Sequence, residues 1–516
     1  MKRSLKWSIF IVLALPFAGC DHTVDPETLH LAVASDIRGF DPALATDIRT
    51  GETMALVYDN LVHFGQGTDL LPGLARTWDI DSNGTRYTFH LSKEARFQDG
   101  ERVTASDVIF SFQRVLLPET GSPQTWLFER IMGAKDFMEG KAAYIQGLRA
   151  PDDSTLIIKL EEPFAPFIQY LAMPSASIIN QRMVKTIKAL PAGSGPWSLD
   201  HWERDGELVF IRNEQYWGQK PKLKRLKIRV LSEVMARAAE FEAGNLDLLG
   251  VPEVDLRRWQ SDPEWAPYLQ AVDDLDIFYV GMNCSRPPFN DVRLRRAMNL
   301  ALDRGKILKL LLNDAGQLAA GPVPPSLRKD HLEPYPYDPQ QARKLIIDAG
   351  YGAGLSTQLW VAGGTEMFHV LEAMQADWAA AGIQVDILRS DWNVFKTAVR
   401  EGKPNLYYLN WQADYPDAEN FLYPLFYSRE SMLKRNRYSN PRADSLILAI
   451  QSLPNGPERE RLVVEANRFI QEEAPWVFLW HRRGNVIHQP WIQNYEPKFI
   501  FNAERYLDIT KSGSHS

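Results

Sequence analysis

LPGLARTWDIDSNGTRYTFHLSKEARFQDGERVTASDVIFSF, residues 71–112, is the most regular stretch of the chain and sets the reading of the rest. Trp78-Asp79-Ile80 and Tyr87-Thr88-Phe89-His90-Leu91 read as two strands, rich in the aromatic and β-branched residues that suit a pleated surface. Asp81-Ser82-Asn83-Gly84 between them is a hairpin turn, because Asn-Gly supplies the positive φ that such turns need. Phe97-Gln98-Asp99-Gly100 marks a second turn. Thr104-Ala105-Ser106-Asp107 then opens a helix over 108–116, with Thr104 as N-cap and Asp107 in the place of the usual capping-box Glu.

The same patterns extend outward. Leu29 to Ala34 alternates apolar and polar residues as a first strand, and Met54 to Val62 has helical spacing. Strands are expected over 156–160, 208–212, 226–231 and 276–282, and the last is read as a crossing between lobes. A helix over 233–243 stops at Gly244, a candidate left-handed cap. Asn290-Asp291 caps an amphipathic helix with Leu294, Ala297, Met298, Ala301 and Leu302 on one face. Beyond it, strands over 359–361, 385–388 and 406–410 alternate with helices over 367–381 and 392–400, after a helix over 339–349. Strands alternating with helices argue an α/β lobe. A chain of 516 residues predicts more than one core.

At the N-terminus, Lys2, Arg3 and Lys6 precede an apolar run from Trp7 to Ala18. A basic start, a short apolar core and small residues form a secretory signal, too short to span a bilayer, which needs roughly 20 apolar residues. Phe17-Ala18-Gly19-Cys20 resembles the lipobox of bacterial lipoproteins, with Phe17 where Leu is usual. The resemblance implies an acylated Cys20 as the mature N-terminus, with residues 20–28 as a tether. Asp21 resembles an inner-membrane retention signal. Removing the three leading cations takes the formal net charge from −7 to −10, a surface that disfavours nucleic acid and anionic lipid. The only other cysteine is Cys284, so no disulfide is expected in the exported body.

With these elements in place, Leu71-Pro72-Gly73-Leu74-Ala75, Trp78, Asn83-Gly84-Thr85 and the rest of the 71–112 block resemble the signature of family 5 extracellular solute-binding proteins. These are the peptide-binding subunits of ABC importers. Further matches follow in family order. They are Gly193-Ser194-Gly195-Pro196, Asn213 with Tyr216-Trp217, Gly244-Asn245-Leu246-Asp247, Pro288-Phe289-Asn290-Asp291-Val292-Arg293, Ala301-Leu302-Asp303-Arg304 and Trp411-Gln412-Ala413-Asp414-Tyr415-Pro416-Asp417. Ala418 stands where many members have Pro.

The resemblance implies a periplasmic-binding-protein-like type II α/β fold, with two lobes and an extra subdomain. It divides the chain into a signal peptide (1–19), the tether (20–28), lobe I (29–57 and 179–275), the subdomain (58–178), lobe II (276–484), a return to lobe I (485–510) and a disordered tail (511–516). It also implies an oligopeptide- or dipeptide-binding lipoprotein, held on the periplasmic side of a bacterial membrane. Such a protein captures peptides between closing lobes and hands them to a permease. A monomer without cofactor, metal or catalytic activity is expected. The alternatives are the same fold with a sugar, nickel complex, haem or amine metabolite, and a secreted peptide hydrolase.

The family pattern places the α-ammonium of a bound peptide on Asp414. A closing cleft strips water from that cation, and an unpaired buried charge is prohibitive. The plainer reading makes Asp414 a loop cap before Pro416. Trp411 and Tyr415 either wall the first side-chain pocket or belong to the core. Tyr407, Trp480 and His481 are candidates by their nearness to strand ends. Two motifs fail on inspection. Asp79 to Gly84 copies half of an EF-hand loop, but His90 replaces the bidentate Glu. His481 and His488 lack a supporting ligand cluster. There is no His-Glu-x-x-His, Gly-x-Ser-x-Gly or Walker loop.

Overall fold

The structure is a computed structural model that describes residues 25–187, 191, 193–364, 367–430, 435–498 and 500–512. The expected signal segment, Cys20 and residues 513–516 lie outside the described residues.

Lobe I is built on a four-stranded sheet in the order Thr28–Val33, Arg225–Val230, Glu207–Arg212, Trp197–Glu203. The first pair is parallel, with Leu29 opposite Leu226 and Leu31 opposite Ile228. Leu29, Leu31 and Val33 are buried, as the period-2 alternation requires. The helix covering this sheet is Ile48–Val57, earlier than the spacing of residues 54–62 suggested. Asp47 fixes its start by accepting from the Thr50 backbone N–H at 2.9 Å. The chain is extended at Tyr58, and Val62–Phe64 is a strand. Gly193 and Gly195 lie against this helix end. A Cβ on Gly193 would meet the Val57 carbonyl oxygen at 1.9 Å. The Gly-Ser-Gly-Pro signature is therefore a close-packing device.

The subdomain carries a four-stranded antiparallel sheet in the order Ala75–Ile80, Arg86–Leu91, Thr155–Lys159, Leu148–Asp152. The hairpin forms at the expected place, with Gly84 but not Asn83 at positive φ. Asp81 Oδ1 accepts from the backbone N–H groups of Thr85 and Arg86 at 2.8 and 2.9 Å, and Gly84 has φ 67°. The next helix is Ala105–Leu116, with the Thr104 backbone N–H donating to Asp107 Oδ2 at 2.9 Å.

Lobe II contains the larger sheet. Its main order is Leu248–Gly250, Trp476–His488, Asp276–Met282, Leu406–Gln412, Leu355–Ala362, Ile383–Ser390. Trp476–His488 was not anticipated and is the longest strand. Its first half pairs with Asp276–Met282, and its second half pairs with Leu269–Asp273 and Leu248–Gly250. It therefore crosses from one lobe toward the other beside the expected crossing strand. At the crossing, buried Asp276 accepts from Arg482 Nε at 2.6 Å, and His481 Nδ1 donates to the Asp276 carbonyl at 2.6 Å. The helix after Asp291 is also shorter than read. It runs Val292–Leu300, and a second helix, Arg304–Leu311, starts at its own cap, Asp303.

The lobe I sheet and the lobe II sheet each have a separate apolar core. The subdomain and one face of lobe II share a third, which joins Phe164, Phe167 and Tyr170 to Tyr415, Phe421 and Leu422. Polar contacts cross the same seam. Ala165 N–H donates to the Gln451 carbonyl at 2.7 Å, and Gln169 Nε2 donates to Asp417 Oδ2 at 3.2 Å.

The tail boundary needs correction. Thr510–Lys511 is a short strand against Ile492–Gln493. Lys511 Nζ is buried at 2.7 Å from Asp247 Oδ2, so residue 511 is part of lobe I.

Candidate functional site

The strand Leu406–Gln412 ends at Trp411-Gln412, and the loop after it is organised by three polar residues. Asn420 Oδ1 accepts from the Trp411 indole N–H and the Asp414 backbone N–H, both at 3.2 Å. Asp417 Oδ1 accepts from the Glu419 backbone N–H at 2.8 Å, at the start of the helix Glu419–Phe426. Arg459 closes the set with an Nη2 donation to Asp417 Oδ1 at 2.7 Å. Capping therefore belongs to Asp417 and Asn420, and the Asp414 carboxylate has no ion pair among the described residues.

That carboxylate opens into a cavity of about 840 Å³ between lobe II and the subdomain. Trp411, Tyr415 and Glu419 come from lobe II, while Trp126, Arg130 and Tyr170 come from the subdomain. Asp414 is exposed at the cavity surface, with protein crowded around it. This partial desolvation pushes its pKa up to about 6, with the Asn420 hydrogen bond pulling the other way. A carboxylate in that state gains from an incoming cation.

Trp411 and Tyr415 take different parts. Trp411 is half-buried, with one ring face under the Arg435 guanidinium at 5.0 Å. Tyr415 is almost wholly buried. Its hydroxyl donates to Glu419 Oε2 and lies 3.4 Å from the Tyr170 hydroxyl. Gln451 Nε2 donates to the other Glu419 oxygen at 2.6 Å. Tyr415 therefore belongs to the shared core and reaches the cavity only at its edge.

The remaining candidates lie elsewhere. Tyr407 is 1% exposed and packs on Gly281, where any Cβ would meet its ring at 2.1 Å. Trp480 is 1% exposed in the lobe II core, with its ring 6.2 Å from that of Phe278. His481 is buried and bonded to the Asp276 carbonyl. None of the three lines the cavity. They sit on central strands covered on both faces, where nearness to a strand end does not imply access. The subdomain wall was missed, because nothing local in residues 124–170 signals contact with residues more than 240 positions away.

A second cavity, about 910 Å³, lies in lobe I beside Tyr216, Trp217 and the C-terminal segment. Arg505 lines it and pairs behind the wall with buried Asp59, with Nη2 and Oδ1 2.6 Å apart. Asp59 also accepts from Ser194, Tyr216 and Trp217. Those donors satisfy the carboxylate and tie the subdomain entrance to lobe I, a structural task. Among the described residues no cluster of His, Cys, Asp and Glu is arranged to hold a metal ion, and no helix is long and apolar enough to cross a membrane.

The profile of the bacterial extracellular solute-binding proteins, family 5 (middle), matches residues 69–432. The chain belongs to this family. Among relatives in the family, it is 30% identical to the heme-binding protein A of Haemophilus influenzae, over 89% of this chain and 87% of that one. It is 27% identical to the dipeptide-binding protein of Escherichia coli, over 93% and 94% of the two chains. Among solved structures, HbpA2 from Haemophilus parasuis superposes with a TM-score of 0.82, at 24% identity, over 94% of this chain and all of that one. DppA from Helicobacter pylori in complex with the peptide STSA gives a TM-score of 0.74 at 26% identity, over 94% and 98%. The architecture is thus the two-lobed, type II periplasmic-binding-protein-like α/β fold with an extra subdomain.

Proposed function

We propose that this protein captures peptides in the cavity between lobe II and the subdomain, with Asp414 pairing the α-ammonium, and delivers them to a membrane ABC permease. The observation that carries the reading is Asp414 itself. It is a cavity-facing carboxylate with a hydrogen bond to Asn420 but no cationic partner among the described residues, at the position the family uses for the peptide N-terminus. Trp411 walls the same end. Binding differs between open and closed states, so transport needs no catalysis by this chain. Cys20 is proposed to carry the lipid that holds a monomer on the periplasmic side of the membrane. Mass spectrometry of the mature N-terminus tests this, and an unmodified or uncleaved Cys20 sinks it. The lobe boundaries are proposed as read from the sequence, with Lys511 added to lobe I.

The test is calorimetry with matched free and N-acetylated peptides. Free peptides are expected to bind, and acetylation to weaken binding by two to three orders of magnitude. Equal binding of both forms rejects Asp414 as an ammonium clamp.

A second reading is haem, favoured by the 30% identity to heme-binding protein A. The described cavity walls offer no His, Cys or Met, which leaves tyrosine as the available type of iron ligand. Titration with haem, followed in the Soret band, separates the two. Saturable haem binding that peptides do not displace supports haem.

A further inference from the structure

The cavity has a second charged group that the loop chemistry does not explain. Arg130 lines it from the subdomain side, as Asp414 does from lobe II. Its guanidinium lies over the Phe164 ring at 4.1 Å, and Phe164 is 1% exposed. This stacking fixes the planar group and removes water from one face.

No carboxylate among the described residues comes within ion-pair distance of Arg130, although several are near. Glu129 is taken by the Thr125 hydroxyl at 2.6 Å, and Glu161 by the Gly133 backbone N–H at 3.0 Å. Glu419 is held by Tyr415 and Gln451. Glu161, Glu162 and Lys135 are exposed at the rim, where solvent screens them. Arg130 is half-buried and is the less exposed of the two cations that line the cavity among the described residues. Tyr170 is on the subdomain wall with Arg130 and meets Tyr415 of lobe II, with ring centroids 4.9 Å apart. Burial raises the Tyr170 hydroxyl pKa most, followed by Glu419, which raises it, and Tyr415, which lowers it; Arg130 and Asp414 act more weakly, in opposite directions. Both charges are therefore close to one side chain.

We propose that Arg130 binds a carboxylate of the ligand, across the cavity from the ammonium on Asp414. The inference rests on the peptide reading above. A planar guanidinium held by an aromatic face pairs a carboxylate in a two-point, charge-assisted geometry. The carboxylate is either the peptide C-terminus or an acidic side chain.

The probes are Ala-Ala-Ala, its C-terminal amide, and the amide of Ala-Glu-Ala, measured by calorimetry on the full-length protein, Arg130→Gln and Arg130→Lys. If the C-terminus is the partner, amidation weakens binding to the unmutated protein by roughly ten- to a hundredfold and leaves Arg130→Gln unaffected. If a side chain is the partner, Ala-Glu-Ala amide outbinds Ala-Ala-Ala amide on the unmutated protein but not on Arg130→Gln. Arg130→Lys is expected to keep part of either preference, which a purely structural role does not predict. Arg130→Gln binding all three probes like the unmutated protein, or losing all three equally, overturns the Arg130 proposal and leaves the Asp414 reading standing. Failure of all three to bind the unmutated protein overturns both.

Discussion

Arg459 Nη2 donates to Asp417 Oδ1 at 2.7 Å with both side chains more than nine-tenths buried, and this pair relieves Asp414 of structural duty. Asp417 receives the helix N-terminus, the Arg459 guanidinium and Gln169 from the subdomain. One loop thus contains two aspartates with separate tasks, one holding the loop and one facing the cavity.

The first prediction follows from that division. Arg459→Met keeps the bulk but leaves Asp417 buried without its cation. Breaking one partner of such a pair costs about 3–5 kcal/mol, to be read from urea unfolding. A loss within the ~0–1 kcal/mol typical of exposed pairs would show that solvent reaches Asp417. Adding Asp417→Asn to the same chain is expected to recover part of the loss.

Asp414 behaves in the opposite way. Its pKa in the folded protein, about 6, lies above the ordinary 3.8. The folded state therefore holds its proton more tightly than the unfolded state. The ionised group costs stability at neutral pH, and that cost is relieved as pH falls through 6. Asp414→Asn is expected to be at least as stable as the unmutated chain at pH 7. Ligand binding has the reverse dependence, because an ammonium requires the carboxylate. Affinity for a free-amino peptide is expected to be highest near pH 7, to fall as pH drops through 6 and the carboxylate takes up a proton, and to fall again above about pH 8 as the α-ammonium loses its own. The Asn variant should show no fall on the acid side. A pH-independent Kd for the unmutated protein between pH 5 and pH 7.5 counts against the pairing.

Local chemistry made much of this legible in the sequence. The Asn83-Gly84 hairpin, the Thr104–Asp107 cap and the strand over 276–282 need only neighbouring residues to be read, and each formed where expected. Trp476–His488 was hidden because its Trp-Val-Phe-Leu-Trp start lacks alternation and Arg482-Arg483-Gly484 interrupts it. Those arginines are held by Asp276 and Asp273, which are distant in sequence. The site divides along the same line. Asp414 is marked as a candidate by its motif, whereas Arg130, Trp126 and Tyr170 come to line the same cavity only through folding. Tyr407 and Trp480 misled because aromatic residues at strand ends serve cores as readily as pockets.

Lys511 shows the same limit at the chain end and carries the third prediction. Its ammonium is 1% exposed against a 3% exposed Asp247 carboxylate. Asp247 also accepts from the His30 backbone N–H at 2.6 Å and the Trp491 indole at 2.8 Å. Lys511 Nζ donates to the Asp25 carbonyl at 3.1 Å, so the last strand pins the first described residue. Lys511→Ala is expected to destabilise the protein by about 3–5 kcal/mol with peptide affinity unchanged. Differential scanning calorimetry alongside binding checks both halves. A midpoint equal to that of the unmutated protein would return Lys511 to the tail.

The last prediction concerns motion. Asp276–Met282 and Trp476–His488 pass between the lobes side by side. Arg482 holds Asp276 at 2.6 Å and lies 3.7 Å from Glu253 of lobe I. Rotation must therefore be absorbed where the strands change partners. On one strand this is Asp274-Leu275, between Leu269–Asp273 and Asp276–Met282. On the other it is near Gly484, where pairing has passed to Leu269–Asp273. Hinges of this kind are a few residues that absorb a large dihedral change. Peptide at saturation is expected to reduce the radius of gyration in small-angle scattering, and an N-acetylated peptide at the same concentration to leave it unchanged. Gly484→Ala narrows the backbone freedom at one crossing, where its Cβ would meet nothing closer than 3.2 Å, and is expected to reduce the compaction while preserving the fold by circular dichroism. Superimposable curves with and without bound peptide would mean that the ligand enters a cavity already closed, and the clam mechanism would fail.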